Sequence, residues 1–154
     1  MGENLPGGTS GIGDDETLRL LSMVERTLTS RIDDALRAQG SGIDQWRILS
    51  LLAECGGQPM TAVAEHAMLL APKLSKLVDR MVAANLVLRR PDVEDRRRVL
   101  VAATERGRAA LAEWDVAVVA VQEELRAALG GEVVQLTELL RRVHAGLGSA
   151  VVAD

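Results

Sequence analysis

The sequence predicts a mainly α-helical chain carrying one small β-hairpin. Three observations support this. Apolar residues recur at spacings of three and four along most of the chain. Only two short β-type runs interrupt them, Leu86-Val87-Leu88 and Val99-Leu100-Val101. The stretch between those runs, Pro91 to Arg98, is charged and has the composition of a hairpin tip.

The elements follow in order. Residues 1–13, rich in glycine, read as a flexible tail. They have neither the basic n-region nor the apolar h-region of a secretory signal, so a cytoplasmic location is the default. A first helix is expected from Asp14 or Asp15, either of which can cap it. Its apolar face is Leu18, Leu21, Val24, Leu28, Ile32 and Ala35, and Gly40 and Gly42 end it. A second helix spans about 43–54 with Trp46, Leu49, Leu52 and Ala53 inward, stopped by Gly56-Gly57. Gln58-Pro59-Met60 leaves room only for a stub of strand. Thr61 can cap a brief helix through Ala67. Pro72 suits the first turn of the next helix, where its missing N–H is no loss. That helix turns Leu74, Leu77, Val78 and Met81 inward, and Asn85 can end it in a left-handed conformation. After the hairpin, Thr104 caps a long helix with the seam Leu111, Trp114, Val118, Val121, Leu125 and Ala128. Gly130-Gly131 interrupts, and Val133, Leu136, Leu140, Val143 and Leu147 repeat the pattern. These stripes can be buried against a second copy of the chain, against the first helix of the same chain, or both.

A chain of 154 residues, 47% hydrophobic and 26% charged, is a globular composition. No apolar run approaches the ~20 residues that span a bilayer, so no membrane partner is expected. One cysteine, Cys55, excludes an internal disulfide framework and a cysteine-only metal cage. The net charge of −4 hides an asymmetry. Between Pro72 and Arg108, ten Lys/Arg face five Asp/Glu, a local +5; the remainder stands at −9. A basic module in an acidic body suits a polyanionic partner, although a solvated charged loop gives the same count.

Two short helices, a third helix and a hairpin, flanked by long helices, form a winged helix-turn-helix inserted in a helical dimerisation body. The expected divisions are 14–42 and 105–150 for dimerisation and 43–104 for the winged region. Ala64 provides the small residue where two helices touch. Lys73, Ser75 and Lys76 point outward near the start of the third helix, the end that enters the major groove in such motifs. An arginine at a β-ribbon tip can enter the minor groove. Asp95 lies two residues from Arg97, so on an extended strand both share a face and the carboxylate can fix the guanidinium.

The run Asp92-Val93-Glu94-Asp95-Arg96-Arg97-Arg98, with Val99, Val101, Thr104 and Gly107, resembles the wing signature of the MarR family of regulators. Leu77-Val78-Asp79-Arg80-Met81 and Asn85-Leu86-Val87 resemble that family's recognition helix and exit. The resemblance implies Arg97 in the minor groove, Asp95 orienting it, Arg96 and Arg98 near phosphates, and Lys73, Ser75 and Lys76 at the major groove. It also implies a homodimer on an inverted-repeat duplex operator, often a repressor released by a small aromatic or phenolic effector. The sequence departs from the family pattern at Met68 and Asn85, where glycine is common, at Ala71 in place of a hydroxyl cap, and at Glu94 in place of a base.

Other residues make no site. Cys55 reads as a small core residue rather than a redox sensor. His66 and His144 lack companion ligands, so no metal or cofactor is expected. Trp46 and Trp114, the only aromatic residues, belong to the core or line an effector pocket. No nucleophile–base pattern or phosphate-cradling loop suggests an enzyme. The competing reading is a winged-helix module that binds protein rather than DNA.

Overall fold

The computed structural model describes the backbone of residues 11–148 and the side chains of residues 16–148. Its helices are α1 (Gly11–Arg37), α2 (Ile43–Cys55), α3 (Met60–Ala67), α4 (Ala71–Ala83), α5 (Glu105–Leu129) and α6 (Val133–Gly148). A 3-10 turn, Gly130–Glu132, joins the last two. The strands are β1 (Gln58–Pro59), β2 (Val87–Pro91) and β3 (Val99–Ala103). They form one antiparallel sheet in the order β1-β3-β2. The predicted class, mainly α with a small β wing, is the observed one. The expected strand stub adds a third strand to the hairpin, pairing Gln58 with Val101 and Pro59 with Leu100. Proline is tolerated there because β1 is an edge.

The chain forms two compact units, one extending through Val118 and the other starting at Val119. The core of the first unit joins Ile48, Leu49 and Leu52 of α2, Val63 and Ala67 of α3, and Leu74, Leu77, Val78 and Met81 of α4. Ile43, Leu86, Val87, Val101, Ala103, Leu111, Trp114 and Val118 also belong to it. Of the apolar face expected for α1, only Ile32 packs against this core; the residue of α1 buried in it is Leu36, which that face did not include, and Leu18, Leu21 and Val24 are exposed. In the second unit, Leu140, Val143 and Leu147 of α6 are likewise exposed.

Four local expectations change. The first ten residues of the expected tail lie outside the described residues, and residues 11–13 already belong to α1. Glycine in a helix costs about 1 kcal/mol but does not forbid it, whereas proline would. In α2, Trp46 is half-buried and Ala53 exposed; Ile43 and Ile48 take the inner places. Trp46 stays at the rim because its indole N–H donates to the Asp115 carboxylate at 2.8 Å. Thr61 lies inside α3, whose cap position is Pro59, held extended by its ring and its pairing with β3 (φ −68°, ψ 154°). Leu70, not Ala71, is the cap residue of α4 (φ −70°, ψ 147°). Pro72 fits in the second helical position because the first-turn N–H groups have no intrahelical acceptor.

Met68 and Asn85, the two positions where glycine was expected to be more usual, are the non-glycine residues with positive φ among those described, both at 57°. Each closes a helix by the same pair of bonds. Leu69 N–H reaches the Ala64 carbonyl at 3.0 Å and Met68 N–H that of Glu65 at 3.2 Å. Leu86 N–H reaches Met81 and Asn85 N–H reaches Val82, both at 2.9 Å. These are Schellman closures, and they set the angles at which the chain enters and leaves α4.

Candidate nucleic-acid interface

The site is built on α4 and on the loop between β2 and β3. Burial of Leu74, Leu77, Val78 and Met81 fixes the rotation of α4 about its axis. Lys73, Ser75 and Lys76 are consequently all exposed on the opposite side. They are not equally free. Lys73 Nζ lies 3.0 Å from a carboxylate oxygen of Asp44 in the first turn of α2. Lys76 has no ion pair among the described residues.

A single junction joins α4, the wing and α5. The Thr104 hydroxyl donates to the Asn85 carbonyl at 2.6 Å and accepts the Gly107 N–H at 2.9 Å. It therefore caps α5, as its position suggested, and also ties that cap to the exit of α4. A Cβ built on Gly107 would stand 2.0 Å from the Leu86 carbonyl oxygen, so α5 can approach this turn only at a glycine. The wing base is tied to α4 a second time, by Arg89 Nη2 on Asp79 at 2.6 Å. The sequence reading missed the Asp44 and Asp79 pairs. Spacing along the chain cannot reveal partners 29 and 10 residues away.

The wing tip is a closed turn, not two extended strands. Pairing ends at Pro91 and Val99. Asp92 N–H then donates to the Arg98 carbonyl and Arg98 N–H to that of Asp95, both at 2.9 Å. Two aspartates brace the turn: Asp92 accepts the Glu94 N–H and Asp95 accepts the Arg97 N–H, each at 3.0 Å. Asp95 thus acts on the backbone of Arg97 rather than on its guanidinium, a correction to the extended-strand reading. Residues 92–98 leave the ladder, so positions two apart no longer share a face. No ion pair among the described residues holds Arg96, Arg97 or Arg98, and all three are exposed.

This arrangement has counterparts among known proteins. The MarR family model matches residues 43–99, from α2 to the start of β3. The homoprotocatechuate degradative operon repressor of Escherichia coli is 31% identical over 111 residues, 71% of this chain and 74% of the relative. The chain belongs to the MarR family. Among solved MarR-type structures, AbsC from Streptomyces coelicolor, a MarR family transcriptional regulator, is 25% identical with a TM-score of 0.75. The match covers 97% of this chain and all of AbsC. NadR, solved in complex with 4-hydroxyphenylacetate, is 27% identical with a TM-score of 0.72, over 93% of this chain and 97% of NadR. This MarR protein is therefore a DNA-binding transcriptional regulator.

The remaining candidates are elsewhere. Trp114 is 6% exposed and belongs to the core, and Trp46 is linked to its neighbour Asp115. Cys55 is exposed at the end of α2, not buried as a small core residue would be. No described helix is long and apolar enough to cross a membrane.

Proposed function

We propose that this protein is a homodimeric, effector-responsive repressor that binds an inverted-repeat operator. One observation carries the reading: one compact unit presents Lys73, Ser75 and Lys76 on α4 and, on the wing, Arg96, Arg97 and Arg98, which have no ion pair among the described residues. Lys73, Ser75 and Lys76 meet base edges in the major groove. Arg97 enters the minor groove, posed through the Asp95-braced turn, while Arg96 and Arg98 neutralise phosphates. Residues 43–104 form the DNA-binding region, and 14–42 with 105–150 form the dimer body.

Unburied apolar stripes support the dimer. Leu18, Leu21 and Val24 on α1, and Leu140, Val143 and Leu147 on α6, are exposed in the single chain. Burial of such area on association yields ~25 cal/mol per Å². The effector reading rests on resemblance: one relative is named for the homoprotocatechuate degradative operon, and one structural neighbour holds 4-hydroxyphenylacetate. A small aromatic or phenolic compound bound near Trp46 and Trp114 is the corresponding proposal here. It can act only through unequal affinity for the two conformations.

Selection from a random duplex pool, followed by salt titration of the enriched site, tests the reading. Neutralising Z phosphates gives a log–log slope of about −0.9Z. Failure to enrich any sequence, with no salt-dependent binding, would favour a winged-helix module that binds protein. Enrichment of an unrepeated half-site would contradict the dimer.

A further inference from the structure

The turn between α3 and α4 displays apolar side chains where a capping residue is usual. Leu70, the cap residue of α4, is 82% exposed, and Met68, two residues earlier, is 68% exposed. The other leucines of α4, Leu74 and Leu77, are buried. No side chain caps this helix, so the position forgoes the stabilisation that Ser, Thr, Asp or Asn would give. A lone exposed leucine ordinarily needs no explanation. This one lies at the leading end of the proposed recognition helix, beside exposed Lys73, Ser75 and Lys76.

From this placement we propose that Leu70 is a specificity-determining residue that reads a pyrimidine C5-methyl group in the major groove. The inference rests on the DNA-binding reading above and deepens it. The major-groove edge of duplex DNA offers one methyl group, that of thymine; apart from ring C–H groups, the other features there are donors or acceptors. An uncharged, branched side chain finds complementary chemistry only at that methyl, while Lys73, Ser75 and Lys76 meet polar base edges beside it. The operator is accordingly expected to hold a required thymine in each half-site, opposite the start of α4. Replacing Leu70 by a hydroxyl residue would restore the cap and abolish the preference.

The test uses the full-length protein and the duplex enriched from a random pool. Each thymine is replaced in turn by deoxyuridine, which deletes only the methyl. Wild type should lose about fourfold in affinity at one position per half-site, the worth of a single buried methyl. Leu70→Ala and Leu70→Ser should bind the thymine and uracil duplexes equally. Both variants should fold, because the side chain lies outside the core, and thermal unfolding verifies this. 5-Methylcytosine at that position should regain part of the wild-type affinity that unmethylated cytosine loses, and none for Leu70→Ala. A uracil penalty of the same size in wild type and Leu70→Ala, or no sensitive thymine at all, overturns the assignment while DNA binding stands. A wild-type protein that enriches no sequence removes the DNA-binding reading itself and this inference with it.

Discussion

Substitution at Asp95 separates two roles that coincide in wild type. Its carboxylate places a negative charge on a surface proposed to face DNA, and it accepts the Arg97 N–H at 3.0 Å. Asp95→Asn removes the charge and retains an oxygen acceptor in the same place. Asp95→Ala removes both. A charge about 8 Å from a phosphate contributes roughly 0.5 kcal/mol in water, less after screening at physiological salt. Relief of that repulsion tightens both variants by about twofold per wing at most. The lost turn bond is worth ~1 kcal/mol, and its absence lets the tip leave the conformation that presents Arg97. Because the charge change is identical, the affinity ratio of the two variants isolates the turn bond. The expected ratio is about fivefold per wing and, with two wings on one inverted repeat, about thirtyfold, alanine being the weaker. Fluorescence anisotropy of a labelled operator at moderate salt measures it. If the two variants bind within twofold of each other, the bond has no part in docking and the wing is a basic patch.

Further outcomes follow from the same contacts. Gly107→Ala should cost more than 3 kcal/mol, because its Cβ would meet the Leu86 carbonyl oxygen at 2.0 Å; a thermal midpoint within 2 °C of wild type would refute the close approach. Met68→Gly should stabilise by about 1 kcal/mol, read as a rise of roughly 2–4 °C, since it relieves a left-handed side-chain residue without emptying the core. Asp44→Asn releases Lys73 and should tighten operator binding by up to about fivefold, the upper range for an exposed ion pair; unchanged affinity would mean that Lys73 stays off the DNA. Arg97→Ala should cost on the order of 1–3 kcal/mol of operator binding and flatten the salt slope, as measured by titration.

The contrast between α4 and the wing shows what kind of information a sequence carries. The inward face of α4 was legible because burial follows helical periodicity: Leu74, Leu77, Val78 and Met81 are all inside. The exit at Asn85 was legible because few side chains tolerate positive φ, and the cap at Thr104 because its hydroxyl acts on a local N–H. The second bond of Thr104, to Asn85 nineteen residues earlier, has no local signature and appears only in three dimensions. The start of α4 was displaced by one residue because Pro72 is acceptable at either of two first-turn positions. That single-residue shift matters chemically, since it transfers the cap position from Ala71 to Leu70.

The wing tip failed for a different reason, and this bears on how the DNA contact works. An extended tip would align Asp95 and Arg97 on one face and favour an ion pair between their side chains, leaving the arginine partly neutralised before it meets DNA. In the closed turn, the carboxylate satisfies a backbone N–H instead, and no described residue neutralises the guanidinium. A minor groove attracts an unneutralised arginine more strongly than one already paired, because no ion pair must be broken on docking. The aspartates of the run therefore fix the path of the backbone, which leaves the arginines their charge for the contacts proposed with phosphates and groove. Exchange of Asp95 for glutamate separates these roles once more: the added methylene carries the carboxylate away from the Arg97 N–H while keeping its charge. Asp95→Glu should therefore bind operator as weakly as Asp95→Ala or more weakly, and wild-type affinity in a titration of that variant would show that charge alone is what position 95 requires.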